Sequence, residues 1–513
     1  MINSIEREIP DSILEDLGKK VYEKPFSILQ EIRMRGRKVV SVGPQDNKLL
    51  SSIDEAIERT GLKDGMTISF HHHFRSGDYV LNMVMERIAA KGIKNLKLAS
   101  SSLSNIHAPL IEHIKNGVVT SITTSGIRGE LAEKISRGLM DNPVIIRSHG
   151  GRARAIEAGE IEIDVAFLGV PSSDEYGNAS GERGKAICGS LGYARVDSRY
   201  ADRVVLITDC IMEFPNLPGS IKQVDVDFVV EVDSIGDPNG IASGATRFTK
   251  NPKELLIAEK ASEVIVNSGY FKDKFSFQTG SGGSSLAVTR FLRKEMLKRD
   301  IKARFALGGI TKPMVELHED GLIEHLYDVQ SFDLVAANSY KKNRKHHEIE
   351  ASYYANLHTK GCIANKLDIV ILSALEIDKD FNVNVITGSN GAIRGASGGH
   401  SDTAASAKLT VIVAPLMRGR IPTVVNRVQN VITPGETVDV LVTDRGIAVN
   451  PGRKDIIEKL EKANIKTTTI EELITTVNDM LGVPETIEYL DKVVGVIEYR
   501  DGSVIDVIRQ IKE

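Results

Sequence analysis

One glycine-rich segment carries the residues whose types and spacing best fit a chemical role. Residues 386–402 read ITGSNGAIRGASGGHSD and place Arg394 and His400 among glycines and serines. Backbone without bulky side chains lets main-chain N–H groups approach an anion closely. The segment therefore predicts an anion or acyl-group site, in which His400 would hydrogen bond a carbonyl oxygen or move a proton. The general alternative for such a run is a flexible surface loop.

Two apolar stretches flank this loop and leave little room for a flexible linker. Residues 367–378, LDIVILSALEID, predict a buried strand that ends in the carboxylates Glu376 and Asp378, and residues 409–415 predict the next strand. A buried strand that leads into a glycine-rich loop beside a cation is a common anion-binding arrangement in α/β proteins. Glu376 is a candidate nucleophile. The alternative is that both carboxylates cap backbone N–H groups of the following turn.

Runs of β-branched residues alternate with longer helical patterns through most of the chain. This alternation predicts βαβ units, and thus an α/β fold with largely parallel sheets. An Asp-Gly turn between residues 493–499 and 504–508 predicts a small C-terminal β-hairpin. The clearest predicted strands are residues 66–70, 96–100, 164–170, 203–208, 228–232 and 439–443, and the clearest predicted helices are residues 79–91, 129–139, 284–299 and 455–463.

Two sequence blocks occur twice in the same order, which predicts two copies of one α/β unit joined in tandem. Residues 163–178 match residues 367–382 without gaps, and residues 125–139 match residues 308–322. The boundary between the copies is expected near residues 236–244. The predicted units are an N-terminal extension (1–45), a first α/β repeat (46–240) and a second α/β repeat that includes the C-terminal hairpin (241–513).

Composition narrows the class of protein. The chain has 513 residues, a net charge of −4 and 41% hydrophobic residues, which are the values of an ordinary globular protein of two or three domains. Lys and Arg are scattered among Asp and Glu, which argues against nucleic acid as a partner. The three cysteines show no metal-site spacing, and no apolar run is long enough to span a bilayer. We expect a soluble, cytoplasmic protein without a membrane partner.

Several long motifs resemble the citrate lyase alpha chain family, within the CoA-transferase superfamily. They are GMTISFHHHFRSGD, SSLSNIHAPLIEHI, FLGVPSSDEYGNASG, GYFKDKFSFQTGSGGSSLAVTRFL, FALGGIT and GSNGAIRGASGGHSDTA, and the resemblance extends from about residue 49 to about residue 508. It implies two tandem CoA-transferase-type repeats. It also implies a citrate CoA-transferase that exchanges acetyl for citryl on the thiol of an acyl carrier protein.

The same resemblance implies a set of partners. These are citrate, the acyl carrier protein (gamma chain) with its phosphoribosyl-dephospho-CoA prosthetic group, a beta chain that cleaves the citryl thioester, and further copies of this chain. No cofactor is expected on the chain itself. The open alternatives are a transferase for citramalate or another acid, an acyl-CoA hydrolase, and a citrate-binding assembly subunit without turnover.

One departure from the wider superfamily bears on mechanism. Where many CoA-transferases carry a nucleophilic glutamate, this chain resembles the subclass with glycine, and Gly308 stands at that position, followed by Gly309. A glycine cannot attack a thioester. The resemblance therefore implies direct transfer through a mixed anhydride, with glycine N–H groups stabilising the oxyanion.

Citrate requires several cations or fixed donors, and the predicted strand ends offer them in clusters. Three consecutive histidines also suggest a metal, but neighbours in an extended segment point to alternate sides, so we expect no metal site. For each residue alone, a solvated surface role is the alternative. The candidate substrate-binding residues are His71, His72, Arg75, Ser125, Gly126, Arg128, Arg147, His149, Asn390, Arg394, Gly398 and Gly399.

A second glycine-rich run, QTGSGGSS at residues 278–285, follows an apolar strand and opens a predicted helix. Its N–H groups could hold a phosphate or the pantetheine amide of the carrier. The run lacks the spacing of a dinucleotide fingerprint, and no GxSxG motif supports a hydrolytic triad. The candidate carrier-binding or CoA-binding residues are Thr279, Gly280, Ser281, Gly282 and Gly283.

Overall fold

Two large sheets of mainly parallel strands form the centre of the structure, which is a computed structural model. It describes residues 1–25, 36–43, 46–71, 73–242, 249–482 and 486–512. The expected repeat boundary near residues 236–244 lies partly outside the described residues. Within the described residues, no helix is long and apolar enough to cross a membrane.

The elements follow the predicted alternation closely. The strands are β1 (Leu49–Leu50), β2 (Thr67–Phe70), β3 (Leu96–Ser100), β4 (Val119–Thr124), β5 (Val144–Ile146), β6 (Val165–Gly169), β7 (Ser172–Ser173), β8 (Ala179–Ser180), β9 (Arg203–Thr208), β10 (Phe228–Glu231), β11 (Phe275–Thr279), β12 (Ala303–Ile310), β13 (Ile323–Ser331), β14 (His346–Glu348), β15 (Ile369–Ser373), β16 (Glu376–Asp378), β17 (Val383–Asn384), β18 (Leu409–Val413), β19 (Met417–Arg418), β20 (Ile421–Pro422), β21 (Val424–Val425), β22 (Val440–Val442), β23 (Ile447–Val449), β24 (Tyr489–Glu498) and β25 (Val504–Ile511). The helices are α1 (Asp11–Leu17), α2 (Ile53–Thr60), α3 (Val80–Ala90), α4 (Leu110–Lys115), α5 (Gly129–Ser136), α6 (His149–Glu157), α7 (Ala194–Tyr200), α8 (Pro252–Asn267), α9 (Gly283–Arg299), α10 (Lys312–Glu319), α11 (Leu334–Lys342), α12 (Ala351–Ala355), α13 (His400–Ala404), α14 (Lys454–Lys462) and α15 (Ile470–Leu481).

The two large sheets share one strand order. The first sheet runs β1-β10-β9-β6-β2-β3-β4-β5-β24-β25, and the second runs β14-β13-β12-β11-β15-β18-β22-β23. Read from β10 and from β22, seven strands occupy the same relative positions in both sheets, and all of them pair in parallel. Central strands such as β6 and β18 are buried along their whole length, as parallel strands covered on both faces are. The predicted fold class is confirmed.

Matched carboxylates make the internal repeat visible at the level of atoms. Asp164 Oδ2 accepts a hydrogen bond from Thr67 N at 2.8 Å, and Asp368 Oδ2 accepts one from Ser276 N at 2.9 Å. Each aspartate precedes the strand that pairs with β2 or β11, so it fixes the start of the neighbouring strand. The first matched pair of sequence blocks therefore corresponds to equivalent positions in the two sheets.

The second matched pair of blocks is a misalignment. Residues 125–139 span the end of β4 and helix α5, whereas residues 308–322 span the end of β12 and helix α10. In the shared strand order β12 is equivalent to β3, and β13 is equivalent to β4. The similarity therefore arose between two βα units that share a Gly-Ile start and an amphipathic helix without being equivalent.

The C-terminal hairpin is present, but it extends the first sheet. Strand β24 pairs in parallel with β5, with Val496 opposite Ile145, and β25 pairs antiparallel with β24. The chain therefore returns from the second repeat to the first, and the assignment of the hairpin to the second repeat was wrong in this respect. The reason is an open edge at β5, which the apolar strand β24 covers.

Candidate functional site

A cavity of about 550 Å³ lies where the carboxyl ends of the two sheets face each other. Its lining comes from the loops after β2, β3, β4 and β5 of the first sheet, from the carboxyl ends of β11, β12, β13 and β15 of the second sheet with the residues that follow them, and from the glycine-rich loop of residues 386–402. Ligands of open α/β sheets bind at this edge. The predicted residues that line the cavity are Arg75, Ser125, Arg128, His149, Thr279, Gly280, Ser281, Gly282, Gly309, Gly398, Gly399 and His400.

The ionisable Arg and His side chains of this lining are all basic. Among the described residues, three arginines, Arg75, Arg128 and Arg418, and two histidines line the cavity, and none of the lining residues is Asp or Glu. Burial, together with the neighbouring Arg128, lowers the pKa of Arg75 to about 10, and burial lowers the pKa of Arg128. Neither guanidinium has a carboxylate partner in the part of the chain that the structure describes. Both remain cationic at neutral pH, so the cavity is suited to a polyanion.

Arg75 is held in place by its surroundings. Its backbone adopts φ +54°, a left-handed conformation that non-glycine residues rarely take. The guanidinium lies 5.0 Å from the ring centroid of Phe332 and donates to the carbonyl of Ile241 at 3.3 Å. Such strain is maintained only where surrounding contacts fix it, and it is concentrated at functional sites.

Arg147 has a different environment, although sequence reasoning grouped it with the cavity arginines. It forms a buried bidentate ion pair with Glu498 on β24, with N–O distances of 2.8 and 2.7 Å. It does not line the cavity. A guanidinium whose donors are already occupied by a carboxylate has little capacity left for substrate, so we retain Arg75 and Arg128 but not Arg147 as substrate ligands.

His149 and His400 both line the cavity, but they differ in the state of their ring nitrogens. His400 Nδ1 lies 2.7 Å from Thr433 Oγ1, and its Nε2 lies 3.0 Å from the carbonyl oxygen of Ser373. Burial lowers the pKa of His400 to about 4. The neutral ring therefore accepts from Thr433 and donates to Ser373, which leaves His400 without a free nitrogen for proton transfer. His149 has no such bonds among the described residues.

His71 and His73 are buried and do not line the cavity. His71 Nδ1 is 2.7 Å from Ser101 Oγ, and its ring lies 4.0 Å from that of His73 and 5.2 Å from that of Tyr193. Tyr193 lines the cavity, but His71 does not. The predicted residue His72 lies outside the described residues.

Hydrogen bonds across the two halves fix the glycine-rich loop. Ser397 N donates to Ser125 O at 2.7 Å, and Gly126 forms a backbone bridge with Ala396. A Cβ on Gly126 would lie 2.2 Å from the Cβ of Ala396, which no packing tolerates. Asp402 Oδ1 accepts from Ser148 Oγ at 2.7 Å, which ties α13 to the start of α6. Gly126 therefore permits close contact between the halves and does not itself line the cavity.

The second glycine-rich turn, residues 280–282, leads from β11 into α9. Gly282, the N-cap of this 17-residue helix, provides no side-chain hydrogen bond, so the first N–H groups of α9 stay open at its positive end. The Thr279 hydroxyl is buried and has no hydrogen-bond partner among the described residues. Gly283, the first residue of α9, does not line the cavity. The turn of residues 280–282 and the start of α9 therefore form a second part of the site that presents hydrogen-bond donors.

A side chain at Gly308 would strain the backbone and would require Gln278 to move. Its φ is +101°, and a Cβ at this position would lie 2.7 Å from Cδ of Gln278. Gln278 Nε2 donates to the Tyr354 hydroxyl at 2.9 Å, so this glutamine is itself held in place. The neighbouring Gly309 lines the cavity, and a Cβ there would lie 2.3 Å from the Phe332 ring. Gln278 thus occupies the space that a side chain at position 308 would need.

The carboxylates of β16 accept hydrogen bonds from nearby backbone and side-chain amide N–H groups. Asp378 Oδ1 accepts from Asn382 N at 2.9 Å, as Asp174 Oδ1 accepts from Asn178 N at 2.9 Å in the first repeat. Glu376 Oε2 accepts from Gln429 N at 2.9 Å and from Asn384 Nδ2 at 2.8 Å. Burial raises the pKa of Glu376.

Glu376 does not line the cavity, so the structure favours the capping interpretation over nucleophilic catalysis. Asn390 and Arg394 also lie outside the lining. The side-chain oxygen Oδ1 of Asn390 accepts from Ala392 N at 3.3 Å within a tight turn, and Arg394 is exposed.

Some cavity residues were missed from the sequence. Ser373 lies within the predicted strand of residues 367–378, and it became recognisable as a strand end only because the observed strand β15 stops there. Arg418 donates to the carbonyls of Ala374 and Leu375 and becomes part of the cavity through a short hairpin, β19-β20. Tyr193 and Tyr354 lie far from any motif, and only the fold brings them to the site.

The strand order and the cavity together define the class of protein. Two tandem α/β repeats of the CoA-transferase-like type enclose a cleft between their sheets whose described lining is rich in arginine. Solved structures with low identity share this fold, among them a Pseudomonas malonate decarboxylase hetero-tetramer in complex with malonate, with a TM-score of 0.64, 16% identity, and coverage of 85% of this chain and 86% of that chain.

Closer similarity identifies the family. The family model "Citrate lyase, alpha subunit (CitF)" matches residues 46–511. Citrate lyase alpha chains of Haemophilus influenzae and Escherichia coli are 61% and 60% identical over 469 residues, which cover 91% of this chain and 94% and 92% of theirs. A crystal structure described as an alpha subunit of citrate lyase in complex with citrate, from Streptococcus mutans, has a TM-score of 0.97 and 58% identity and covers 100% of both chains. The chain belongs to the citrate lyase alpha subunit family, and the expectation of a transferase is confirmed.

Proposed function

We propose that this chain binds citrate in the cavity and exchanges acetyl for citryl on the thiol of an acyl carrier chain. The observation that carries the proposal is the lining itself, which holds three arginines and no carboxylate. A tricarboxylate needs such a surface. The Streptococcus mutans relative is described as a complex with citrate, which supports the same ligand here.

Arg75 and Arg128 are the proposed ligands of the citrate carboxylates. Both are partly buried and lack carboxylate partners among the described residues, so a bound anion would relieve the cost of removing them from water. Ser125 also lines the cavity, but its hydroxyl donates to Ser101 O at 2.5 Å and is not counted as a ligand. This arrangement positions one citrate carboxylate for reaction while the others remain bound.

The proposed reaction has two acyl-transfer steps. In the first step, a citrate carboxylate oxygen bonds to the acetyl carbonyl carbon, and the carbon–sulfur bond breaks. The carrier thiolate departs, and the product is a mixed anhydride of acetate and citrate. The thiolate then attacks the citryl carbonyl, and acetate leaves with the bridging oxygen. One thioester replaces another, so the protein must chiefly orient the groups, stabilise the oxyanions and exclude water.

The lining supports direct transfer. An enzyme-bound acyl intermediate requires a nucleophile at the reacting carbonyl, and the cavity lining includes no Asp or Glu. Gly308 leaves no room for a glutamate, because Gln278 occupies the adjacent space. Glu376 is bonded to backbone and amide groups away from the cavity.

The carrier arm is proposed to enter along the wall formed by Thr279, Gly280, Ser281 and Gly282. Open N–H groups at the start of α9 suit the amides or phosphates of the phosphoribosyl-dephospho-CoA group carried by the acyl carrier chain. The carrier, a beta chain that cleaves the citryl thioester and further copies of this chain are the proposed partners. We propose the cytoplasm as the compartment.

A single-turnover oxygen-transfer experiment tests the mechanism. Enzyme in excess over the acetyl thioester is mixed with citrate whose carboxylates carry 18O, and the acetate released is analysed by mass spectrometry. Direct transfer places one labelled oxygen in the acetate of the first turnover. A covalent enzyme carboxylate would instead release unlabelled acetate in that turnover.

Control reactions separate the alternative functions. Acetate release without any acceptor identifies a hydrolase, and faster release with citramalate than with citrate reassigns the acceptor. Citrate binding by calorimetry without acetate release identifies a binding subunit. Unlabelled acetate in a citrate-dependent first turnover refutes direct transfer while leaving the citrate assignment intact.

A further inference from the structure

His149 and the glycines beside it form a cluster of donors that faces the cavity from both repeats. His149 begins α6 in the first repeat, and its backbone N–H donates to Gly398 O at 2.8 Å. A Cβ on Gly398 would lie 3.7 Å from Nε2 of His149, so the imidazole and the loop are in direct contact. His149, Gly398 and Gly399 all line the cavity.

The backbone donors of this cluster are open. The N–H groups of Gly398 and Gly399 have no hydrogen-bond acceptor among the residues that the structure describes. Gly398 adopts φ +55° and Gly399 adopts φ −95° and ψ 18°, so left-handed and right-handed conformations follow one another. Successive N–H groups in such a sequence turn toward one concave side and bind anions.

The imidazole of His149 is held by packing, and its ring nitrogens are available as well. The Tyr193 ring packs against it with a centroid distance of 4.5 Å. Within the described ranges, no side chain or carbonyl bonds to its ring nitrogens. Burial and the neighbouring Arg152 and Arg128 lower the pKa of His149 to about 3, which keeps the ring neutral at physiological pH. A neutral imidazole carries one N–H and can donate a hydrogen bond without exchanging a proton.

Close packing preserves the bare backbone of the loop. A Cβ on Gly399 would lie 2.3 Å from the Tyr354 hydroxyl, and a Cβ on Gly395 would lie 1.9 Å from Val385 O. The loop therefore cannot carry side chains at these positions without moving. The bare backbone of the loop therefore borders the cavity at Gly398 and Gly399.

We propose that His149 and the N–H groups of Gly398 and Gly399 form the oxyanion hole of the acyl-transfer reaction. When the citrate carboxylate adds to the acetyl carbonyl carbon, the carbonyl electron pair moves onto oxygen, and these donors stabilise that negative charge. The oxyanion then collapses, the carbon–sulfur bond breaks and the thiolate leaves. His149 donates a hydrogen bond to the oxyanion as it forms and until it collapses, and it transfers no proton. The inference rests on the proposed function.

Substitution of His149 tests the assignment. Removing one oxyanion donor typically lowers kcat by about 10²–10³-fold. We expect H149A to show a loss of this size, with the citrate KM within about threefold of wild type and the melting temperature little changed. H149Q restores a side-chain N–H, so its kcat should be at least about tenfold higher than that of H149A. H113A removes a half-buried histidine remote from the cavity and should leave kcat unchanged.

The pH profile distinguishes a neutral donor from an acid–base catalyst. For a histidine that stays neutral, kcat of the wild type is flat between about pH 5 and pH 8, whereas a histidine that moves protons gives an inflection near its pKa. An inflection that disappears in H149A overturns the assignment.

The outcomes separate this inference from the proposed function. Citrate-dependent exchange in wild type together with full turnover in H149A overturns the oxyanion assignment alone. No citrate-dependent exchange in wild type overturns both. A loss confined to the citrate KM makes His149 a binding residue and also overturns the assignment.

Discussion

Replacing Arg75 by methionine should stabilise the protein without ligand and weaken its binding of citrate. Burial and Arg128 lower the pKa of Arg75 from 12.5 to about 10. Each tenfold change in proton affinity corresponds to about 1.4 kcal/mol, so the charge is held at a cost of about 3 kcal/mol. Methionine removes that cost but also removes the contacts with Phe332 and Ile241, each worth about 1 kcal/mol. A net gain of about 1 kcal/mol remains, which is a rise of about 1–2 °C in melting temperature.

The same substitution should raise the dissociation constant of citrate. Truncating one partner of a buried, hydrogen-bonded charge pair costs about 2–5 kcal/mol, and the lower figure corresponds to about 30-fold in affinity. Titration calorimetry measures the constant directly. Thermal melts with and without citrate give a second measure, because a ligand that binds the folded state raises the melting temperature with its affinity.

Arg147 provides the matched control. R147M leaves Glu498 buried without its bidentate partner, and breaking such a pair costs about 3–5 kcal/mol. We therefore expect R147M to melt well below wild type while its folded fraction binds citrate normally. The reasoning is refuted if R75M melts lower than wild type and binds citrate as tightly, or if R147M shows the affinity loss instead.

Three further predictions concern pH, the glycine at position 308 and the carboxylate of β16. Folding keeps His149 and His400 neutral, with pKa values of about 3 and about 4 against an ordinary 6.5, so the free energy of unfolding should fall as pH decreases from about 6.5 to about 4; urea titrations that show greater stability at pH 4.5 than at pH 7 would contradict this. G308E should lower the melting temperature and form no borohydride-trappable adduct, because its side chain collides with Gln278 at φ +101°; a trapped adduct would show that the site can accommodate a nucleophile there. E376Q keeps an oxygen for the donors that Glu376 now accepts from, so its exchange rate should stay within about threefold of wild type, and a loss above about 100-fold would restore a catalytic role.

Local sequence patterns predicted the elements of the fold well because parallel, doubly covered strands must be apolar and turns must carry special residues. The strands Leu96–Ser100 and Arg203–Thr208 have the predicted bounds, and the capping role of Asp378 followed from its match to Asp174. Pairing was harder to predict. Strand β24 joins β5, which precedes it by more than three hundred residues, and no local pattern specifies that partner.

The candidate site was predicted in outline, and its errors share one cause. Loops at strand ends held most of the lining, but the arginines could not be sorted from the sequence. Arg147 differs from Arg128 only in having Glu498 within reach, 351 residues further along the chain. Likewise His400 follows a glycine and His149 follows a serine, so their local sequences do not distinguish them. Only the positions of Thr433 and Ser373 show that both ring nitrogens of His400 are already hydrogen bonded.

The structure also explains why the central loop is rich in glycine. Flexibility is the general reason for such a composition, but here main-chain hydrogen bonds hold the loop, and neighbouring groups of both repeats lie too close for side chains. Added Cβ atoms would lie 2.2 Å from the Ala396 side chain at Gly126 and 2.3 Å from the Tyr354 hydroxyl at Gly399. Glycine therefore permits close approach between the two repeats at Gly126 and close packing within the second repeat at Gly399. A mixed anhydride survives only where water is excluded, and a backbone surface held by contacts on both sides can exclude water while its N–H groups still face the substrate.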